Sequence, residues 1–255
     1  NGSVLGLVDD PLAAVSGESR PVRVHRARFF DGQCSNELCA LLIRHRKTGE
    51  LYDLQRQVLV DSAGRLAPLA QTDLANIVGV STIALTSDNL MVVVTQTSYN
   101  SASGSLLAPS GSGSLEPRDA EGAGLSLQAV VIAGMERELV EECGIDPAEI
   151  VDTRVTGYAR WLERGAKPEF FGLTRLRVGS QELRLRKTRP GERLYSGGAE
   201  FLTVDLAAIA REVADGGSIS ASPSCRGSLR ERGSIPLLLA IRAAALALTD
   251  PEDGR

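Results

Sequence analysis

A short acidic segment at residues 137–145 constrains the fold of this chain most. It reads R-E-L-V-E-E-C-G-I. At roughly 100° per residue of an α-helix, Glu138, Glu141 and Glu142 lie within about 100° of one another on one face. The apolar residues beside and behind them form a stripe made of Ala129, Ile132, Met135, Leu139 and Cys143. The pattern predicts a helix over residues 126–143 with a buried back and an acidic front.

Charge on this face favours a cation. Carboxylates at i, i+3 and i+4 repel one another by a few tenths of a kcal/mol per pair, so three together indicate that something cationic neutralises them. Clustered carboxylate oxygens suit Mg²⁺ or Mn²⁺. Gly144 follows the last turn and can take the left-handed conformation that ends a helix. The alternative is a solvated helix face without a metal site, because such acidic runs are common on exposed helices.

The same segment resembles the second half of the Nudix box, whose full pattern is G-x5-E-x7-R-E-U-x-E-E-x-G-U with U apolar. The match over residues 137–145 is complete. The first half departs from the pattern, because Ala129 stands where the box has glutamate and Ala123 where it has glycine. The resemblance is therefore to a divergent box.

A glycine loop lies upstream, in residues 109–114. Five residues separate Gly113 from Asp119, and 17 residues rather than seven then separate Asp119 from Arg137. We interpret this as an insertion between the loop and the helix of the box. Asp119 is one candidate for the displaced acid, and Glu116 in the same loop is the other.

The resemblance implies an α/β (α+β) fold, a Nudix-type α/β/α sandwich with a mixed sheet, here with an N-terminal β extension. It also implies a Mg²⁺- or Mn²⁺-dependent pyrophosphohydrolase that cleaves a nucleoside diphosphate linked to another moiety, such as a sugar nucleotide or an ADP-ribose-like compound. The implied catalytic residues are Glu138, Glu141, Glu142 and Arg137, the arginine orienting a helix carboxylate. The implied metal ligands are Glu138, Glu141, Glu142 and, from outside the helix, Glu169.

Substrate phosphates need donors as well as a metal. A Gly/Ser-rich stretch at residues 98–114 can bring backbone N–H groups close to phosphates, although its composition also suits a flexible linker. The expected substrate-binding residues are Gly111, Ser112, Gly113, Glu116 and Asp119. Because the box glutamate is displaced or lost, the alternative function is a catalytically weak Nudix-like module that binds a nucleotide or sugar nucleotide as a sensor.

Patterning along the chain predicts strands in residues 22–60 and a hairpin over residues 77–95. We expect residues 1–75 to be an N-terminal tail and β extension, with residues 76–255 as the Nudix domain. Alternation of arginine with apolar residues predicts a second hairpin, its strands at 174–178 and 183–186. Helices are predicted over residues 201–213 and 235–248.

Composition limits the partners. The chain has 255 residues and a formal net charge of −4, which does not favour a nucleic-acid groove. The chain contains no run of 18 apolar residues, so no transmembrane helix is predicted. The four cysteines suggest buried or free thiols rather than a disulfide framework, so we expect a cytoplasmic protein. The N-terminal strands could supply a base-binding wall, a homodimer interface or a cap on the sheet.

Overall fold

Strands and helices alternate along the chain, which is described by a computed structural model over residues 1–11, 21–96, 106–124, 126–186, 196–214 and 216–248. The strands are β1 (Ser3–Leu7), β2 (Val24–Arg28), β3 (Leu42–Arg44), β4 (Leu51–Asp53), β5 (Gly79–Leu85), β6 (Leu90–Gln96), β7 (Leu107–Ala108), β8 (Gly111–Ser114), β9 (Ile150–Trp161), β10 (Lys167–Leu176) and β11 (Ser196–Thr203). The α-helices are α1 (Phe29–Gln33), α2 (Asn36–Cys39), α3 (Leu127–Cys143), α4 (Ser180–Arg184), α5 (Leu206–Val213), α6 (Ser228–Arg232) and α7 (Ile235–Ala247).

The largest sheet of the described chain contains seven strands. Its main path runs in the order β11-β6-β5-β10-β9, while β7 pairs with β6 and β8 pairs with β5. The β5–β6 and β6–β11 pairs are antiparallel. The predicted hairpin is the β5–β6 pair, in which Ala84 lies opposite Val92 and the turn carries Asn89 at a φ of 59°. The hairpin prediction is confirmed.

Helices cover both faces of this sheet. A Cβ added to Gly172 of β10 would meet the side chain of Met135, so this face lies under α3. A Cβ added to Gly157 of β9 would instead lie 3.0 Å from Cβ of Ala243 in α7 and 3.9 Å from the ring of Phe171. Because neighbouring residues of a strand point to opposite faces, α3 and α7 lie on opposite sides of the sheet. The predicted mixed α/β fold class is confirmed.

The second arginine-rich strand was predicted wrongly. Residues 183–186 do not form a hairpin with β10; α4 occupies this part of the chain. Leu183 is buried, but Leu185 is 83% exposed, which a half-buried strand would not allow. The reason is a remote helix cap: the carboxylate of Asp88 accepts hydrogen bonds from the backbone N and hydroxyl of Ser180, at 2.8 and 2.6 Å.

The predicted helix over residues 201–213 is right only in its second half. Phe201 belongs to β11 and lies opposite Val92 of β6. The helix begins after Asp205, whose side chain accepts a hydrogen bond from the backbone N of Ala208 at 2.8 Å. The predicted C-terminal helix is confirmed by α7, whose first turn is capped by Ser234.

The described chain forms two compact units, each considered by itself. Unit 1 comprises residues 1–79, 114–127 and 158–169, and unit 2 comprises residues 80–113, 128–157 and 170–255. The boundary between residues 75 and 76, which the sequence suggests, stays a prediction.

Unit 1 contains the predicted N-terminal β extension. Its first strand corrects the expectation that the chain starts with a tail, because β1 pairs antiparallel with β2 and is mostly buried. The backbone N of Leu5 donates to the carbonyl of Leu115 at 2.8 Å, and its carbonyl accepts from the N of Val78 at 2.9 Å. These bonds satisfy the second edge of β1, which is why a segment with little periodicity becomes a strand. Residues 12–20 and 98–105 lie outside the described residues.

None of the described helices has the length and apolar character needed to cross a membrane.

One buried hydroxyl in unit 2 gives a stability test. Oγ of Ser110 donates to the carbonyl of Val92 at 2.5 Å and accepts from the backbone N of Ala84 at 2.7 Å. We expect Ser110→Ala to lower the free energy of unfolding by about 1–3 kcal/mol, because it leaves a buried N–H without an acceptor. Urea unfolding measures the change. The exposed Ser62→Ala is the control, and equal losses in both variants would contradict the prediction.

Candidate functional site

The acidic helix α3 is fixed by its apolar back. Met135 and Leu139 are completely buried, and Leu139 packs in a cluster that includes Ala84 and Val92 of the sheet. Gly144 has a φ of 65° and ends the helix, as predicted. With its back held in the core, the helix turns its opposite side outward, and the three box glutamates on that side are half-buried.

Strand β8 runs directly against α3. A Cβ on Gly111 would lie 2.5 Å from the backbone N of Leu139 and 2.8 Å from its Cα, so only glycine fits this contact. A Cβ on Gly113 would overlap the carboxylate of Glu138. The part of the predicted phosphate loop that the structure describes is therefore a strand beside the acidic helix.

The backbone of β8 also contacts a second box carboxylate. The N–H of Ser112 donates to Oε2 of Glu142 at 3.0 Å. The thiol of the next residue, Cys143, donates to the carbonyl of Ser110 at 2.9 Å. Burial, and secondarily the charge of Glu142, raise the pKa of the Cys143 thiol, which therefore stays protonated. These bonds hold the last turn of α3 against the glycine strand.

Arg137 contacts the other two box carboxylates. Its Nη1 lies 2.7 Å from Oε1 of Glu138 and 3.4 Å from Oε2 of Glu141. The side chains of Arg137 and Glu138 are only 12% and 13% exposed, so this ion pair is shielded from solvent more than a surface pair would be. The structure thus gives Arg137 the contact that the resemblance implied, with a helix carboxylate as its partner.

The donor set fits a hard divalent cation in its chemistry. Glu138, Glu141 and Glu142 offer carboxylate oxygens from one helix face, which are the ligands that Mg²⁺ and Mn²⁺ prefer. Among the described residues, no three His, Cys, Asp or Glu side chains are already arranged to hold an ion. The reason is visible for the box acids, since two of them contact Arg137 and the third contacts the backbone of Ser112.

The two candidates for the displaced box acid belong to unit 1 and form a local cap. The carboxylate of Asp119 is buried and accepts from the backbone N of Glu116 at 2.8 Å. The carboxylate of Glu116 pairs with Nε of Arg118 at 2.6 Å. Both side chains stabilise the short turn Pro117–Ala120. Their roles toward a substrate stay predictions.

Glu169, the predicted ligand from outside the helix, also belongs to unit 1 and forms a buried ion pair. Nζ of Lys167 donates to its Oε2 at 2.8 Å, and both side chains are buried. A Cβ on Gly79 would overlap both charged groups, so the pair occupies the space that this glycine leaves. Lys167 was not among the predicted site residues; the i, i+2 spacing of lysine and glutamate on one strand face was the available signal.

The two glycines of β8 give opposite expectations for stability. Gly111→Ala sets a methyl group against the backbone of α3, and we expect it to destabilise the protein by about 2 kcal/mol or more. Gly113→Ala meets the movable end of the Glu138 side chain, and we expect a loss below about 1 kcal/mol. Denaturant unfolding tests both, with Gly2→Ala as the control in open space. A larger loss of stability for Gly113→Ala than for Gly111→Ala would contradict the contact between Gly111 of β8 and the backbone of α3.

Comparisons with known proteins give structural likeness without sequence likeness. No family model matches the chain, and no curated protein matches it. A MutT protein from Methanosarcina mazei is 11% identical, with a TM-score of 0.37 over 70% of this chain and 96% of that one. A Nudix hydrolase from Nitrosomonas europaea is 16% identical, with a TM-score of 0.38 over 70% of this chain and 99% of that one. The case for a function rests on the site itself.

Proposed function

We propose that this protein is a metal-dependent pyrophosphohydrolase that cleaves a nucleoside diphosphate linked to another moiety, such as a sugar nucleotide or an ADP-ribose-like compound. The observation that carries the proposal is the contact between β8 and α3. A glycine strand, whose Ser112 N–H reaches the carboxylate of Glu142, runs against a helix face that bears Glu138, Glu141 and Glu142. Phosphate-binding backbone and metal-binding carboxylates are thus adjacent within one compact unit.

The three carboxylates would hold Mg²⁺ or Mn²⁺. When bound, such an ion screens the anionic oxygens of a diphosphate and lowers the pKa of a coordinated water. Glu138 and Glu141 would turn from Arg137 toward the ion, and Glu142 would release the N–H of Ser112. Each of these movements needs only side-chain rotation, because α3 itself is fixed by its buried back.

The same movements would prepare the site for substrate. The N–H of Ser112, no longer held by Glu142, would donate to a phosphate oxygen. The guanidinium of Arg137 would remain beside the acidic face and limit how far Glu138 and Glu141 turn, so that both keep facing the ion. Fixed donors aimed at developing negative charge contribute most in a site from which water is excluded.

A binding module that does not catalyse is the second candidate. It is favoured by the ion pairs of Arg137, which already partly neutralise Glu138 and Glu141 in the absence of any metal. In that case a nucleotide or sugar nucleotide would bind without turnover. The two candidates differ in their need for all three carboxylates.

The direct test is turnover by Glu142→Gln. We expect wild-type protein with Mg²⁺ or Mn²⁺ to release a nucleoside monophosphate from at least one nucleoside diphosphate derivative, and Glu142→Gln to lower kcat by about 100-fold or more. Glu136→Gln, on the same helix but off the acidic face, is the matched control. Calorimetry with Mn²⁺ should show weaker binding for Glu141→Gln/Glu142→Gln than for wild type.

The outcomes separate the candidates. Full activity of Glu142→Gln would remove the acidic face from the mechanism. Nucleotide binding without turnover across a panel of sugar nucleotides and ADP-ribose, with metal present, would support the binding module.

A further inference from the structure

A group of buried side-chain nitrogens that could bind a ligand lies in unit 1, at the end of β9. Among the described residues, three buried side-chain nitrogens without a hydrogen-bond partner fall within five positions of one another: Nη2 of Arg160, Nε1 of Trp161 and Nε of Arg164. Buried N–H donors are nearly always paired, and a donor left over in a native structure calls for an explanation such as a ligand. Arg160 and Trp161 are consecutive in a strand and point to opposite sides, so they do not form one site.

Arg164 and Trp161 contact each other. The guanidinium of Arg164 lies 5.3 Å from the centroid of the Trp161 ring, a cation–π contact, and it pairs with the carboxylate of Glu37. This side of β9 is therefore neutralised and packed.

Arg160 differs because its partners are neutral. Its Nη1 donates to the carbonyl of Ala67 at 2.5 Å and its Nε to the carbonyl of Ala166 at 3.3 Å. No ion pair joins it to a carboxylate within the described part of the chain. The guanidinium is thus held in place by two carbonyls, and its third nitrogen, Nη2, has no hydrogen-bond partner among the described residues.

Tyr158 adds a neutral donor on the same side of the strand. It lies two residues before Arg160, so both side chains point to one face of β9. Burial, more than the nearby charge of Asp10, raises the pKa of the Tyr158 phenol, so the hydroxyl keeps its proton and can donate it to an anion. Burial also lowers the pKa of Arg160, but an arginine remains charged in proteins.

We propose that Arg160 and the Tyr158 hydroxyl bind a phosphate-type oxyanion at this end of β9. A guanidinium presents a planar fork of donors that matches the oxygens of a phosphate, and a fork already held by two carbonyls loses little freedom on binding. Arg160 is half-buried as a residue and its Nη2 is buried, so an anion bound to this nitrogen would be shielded from water. The proposal does not rest on the hydrolase activity proposed for α3.

Asp10 provides a second test of the proposal. Its carboxylate acts electrostatically on both Tyr158 and Arg160, and it repels any anion that binds there. Removing its charge should therefore strengthen oxyanion binding, whereas removing the charge of Arg160 should weaken it. A purely structural arginine would give neither change.

The experiment is calorimetric titration of the whole chain with inorganic phosphate, and separately with AMP, in EDTA at constant ionic strength. EDTA keeps metal-dependent binding at the acidic helix silent, so this test and that of the hydrolase can fail separately. We expect wild type to bind phosphate, Arg160→Gln to bind it at least about tenfold more weakly, and Asp10→Asn to bind it several-fold more tightly. Arg26→Gln, an exposed arginine of the same unit, should bind like wild type.

Tyr158→Phe removes only the hydroxyl and covers the case in which Arg160→Gln does not fold; it should weaken phosphate binding by several-fold. Tighter binding of AMP than of phosphate, with the same dependence on Arg160, assigns the oxyanion to a nucleotide, and equal affinities assign it to free phosphate. No phosphate binding by wild type, or equal affinities in wild type, Tyr158→Phe and Arg160→Gln, overturns the proposal.

Discussion

The close backbone approach of β8 to α3 is the contact on which the candidate site depends. At Gly111 the two backbones meet without space for a methyl group, so the distance between strand and helix is fixed by glycine rather than by side-chain packing. The bonds from Ser112 to Glu142 and from Cys143 to Ser110 then set the register. Because the back of α3 is buried in the same core as β5 and β6, the acidic face has one orientation relative to the glycine strand.

Charge in this protein is balanced in two different ways. In unit 1, Lys167 and Glu169 form a buried ion pair, which is costly to break because either partner alone would leave a buried charge. On α3, Arg137 contacts two carboxylates at 2.7 and 3.4 Å, and the third carboxylate accepts from a backbone amide. These three carboxylates lie on a half-buried face, where exchanging a partner for a cation costs less than it would inside a fully buried ion pair.

Both proposals rest on charged groups that the fold orients, which are the carboxylates on α3 and the guanidinium of Arg160. The carboxylates on α3 are negative and suit a metal ion. The guanidinium of Arg160 is positive, and the carbonyls of Ala67 and Ala166 hold it in place. An enzyme acting on phosphate compounds and a module that only binds them would both profit from such sites, so turnover and binding have to be measured separately.

The sequence by itself determined the acidic helix, its glycine stop, the hairpin of β5 and β6, and the resemblance they carry, because periodicity and turn chemistry act within a few residues. Only the tertiary structure decided the rest. Residues 183–186 alternate like a strand, yet Asp88, about ninety residues away, caps a helix there. β11 exists because β6 offers it an edge, and β1 because Val78 and Leu115 satisfy its backbone. Lys167 joins Glu169 because β10 begins earlier than its apolar pattern, in a space left by Gly79. Such partners are distant in sequence, and local patterns carry no record of them.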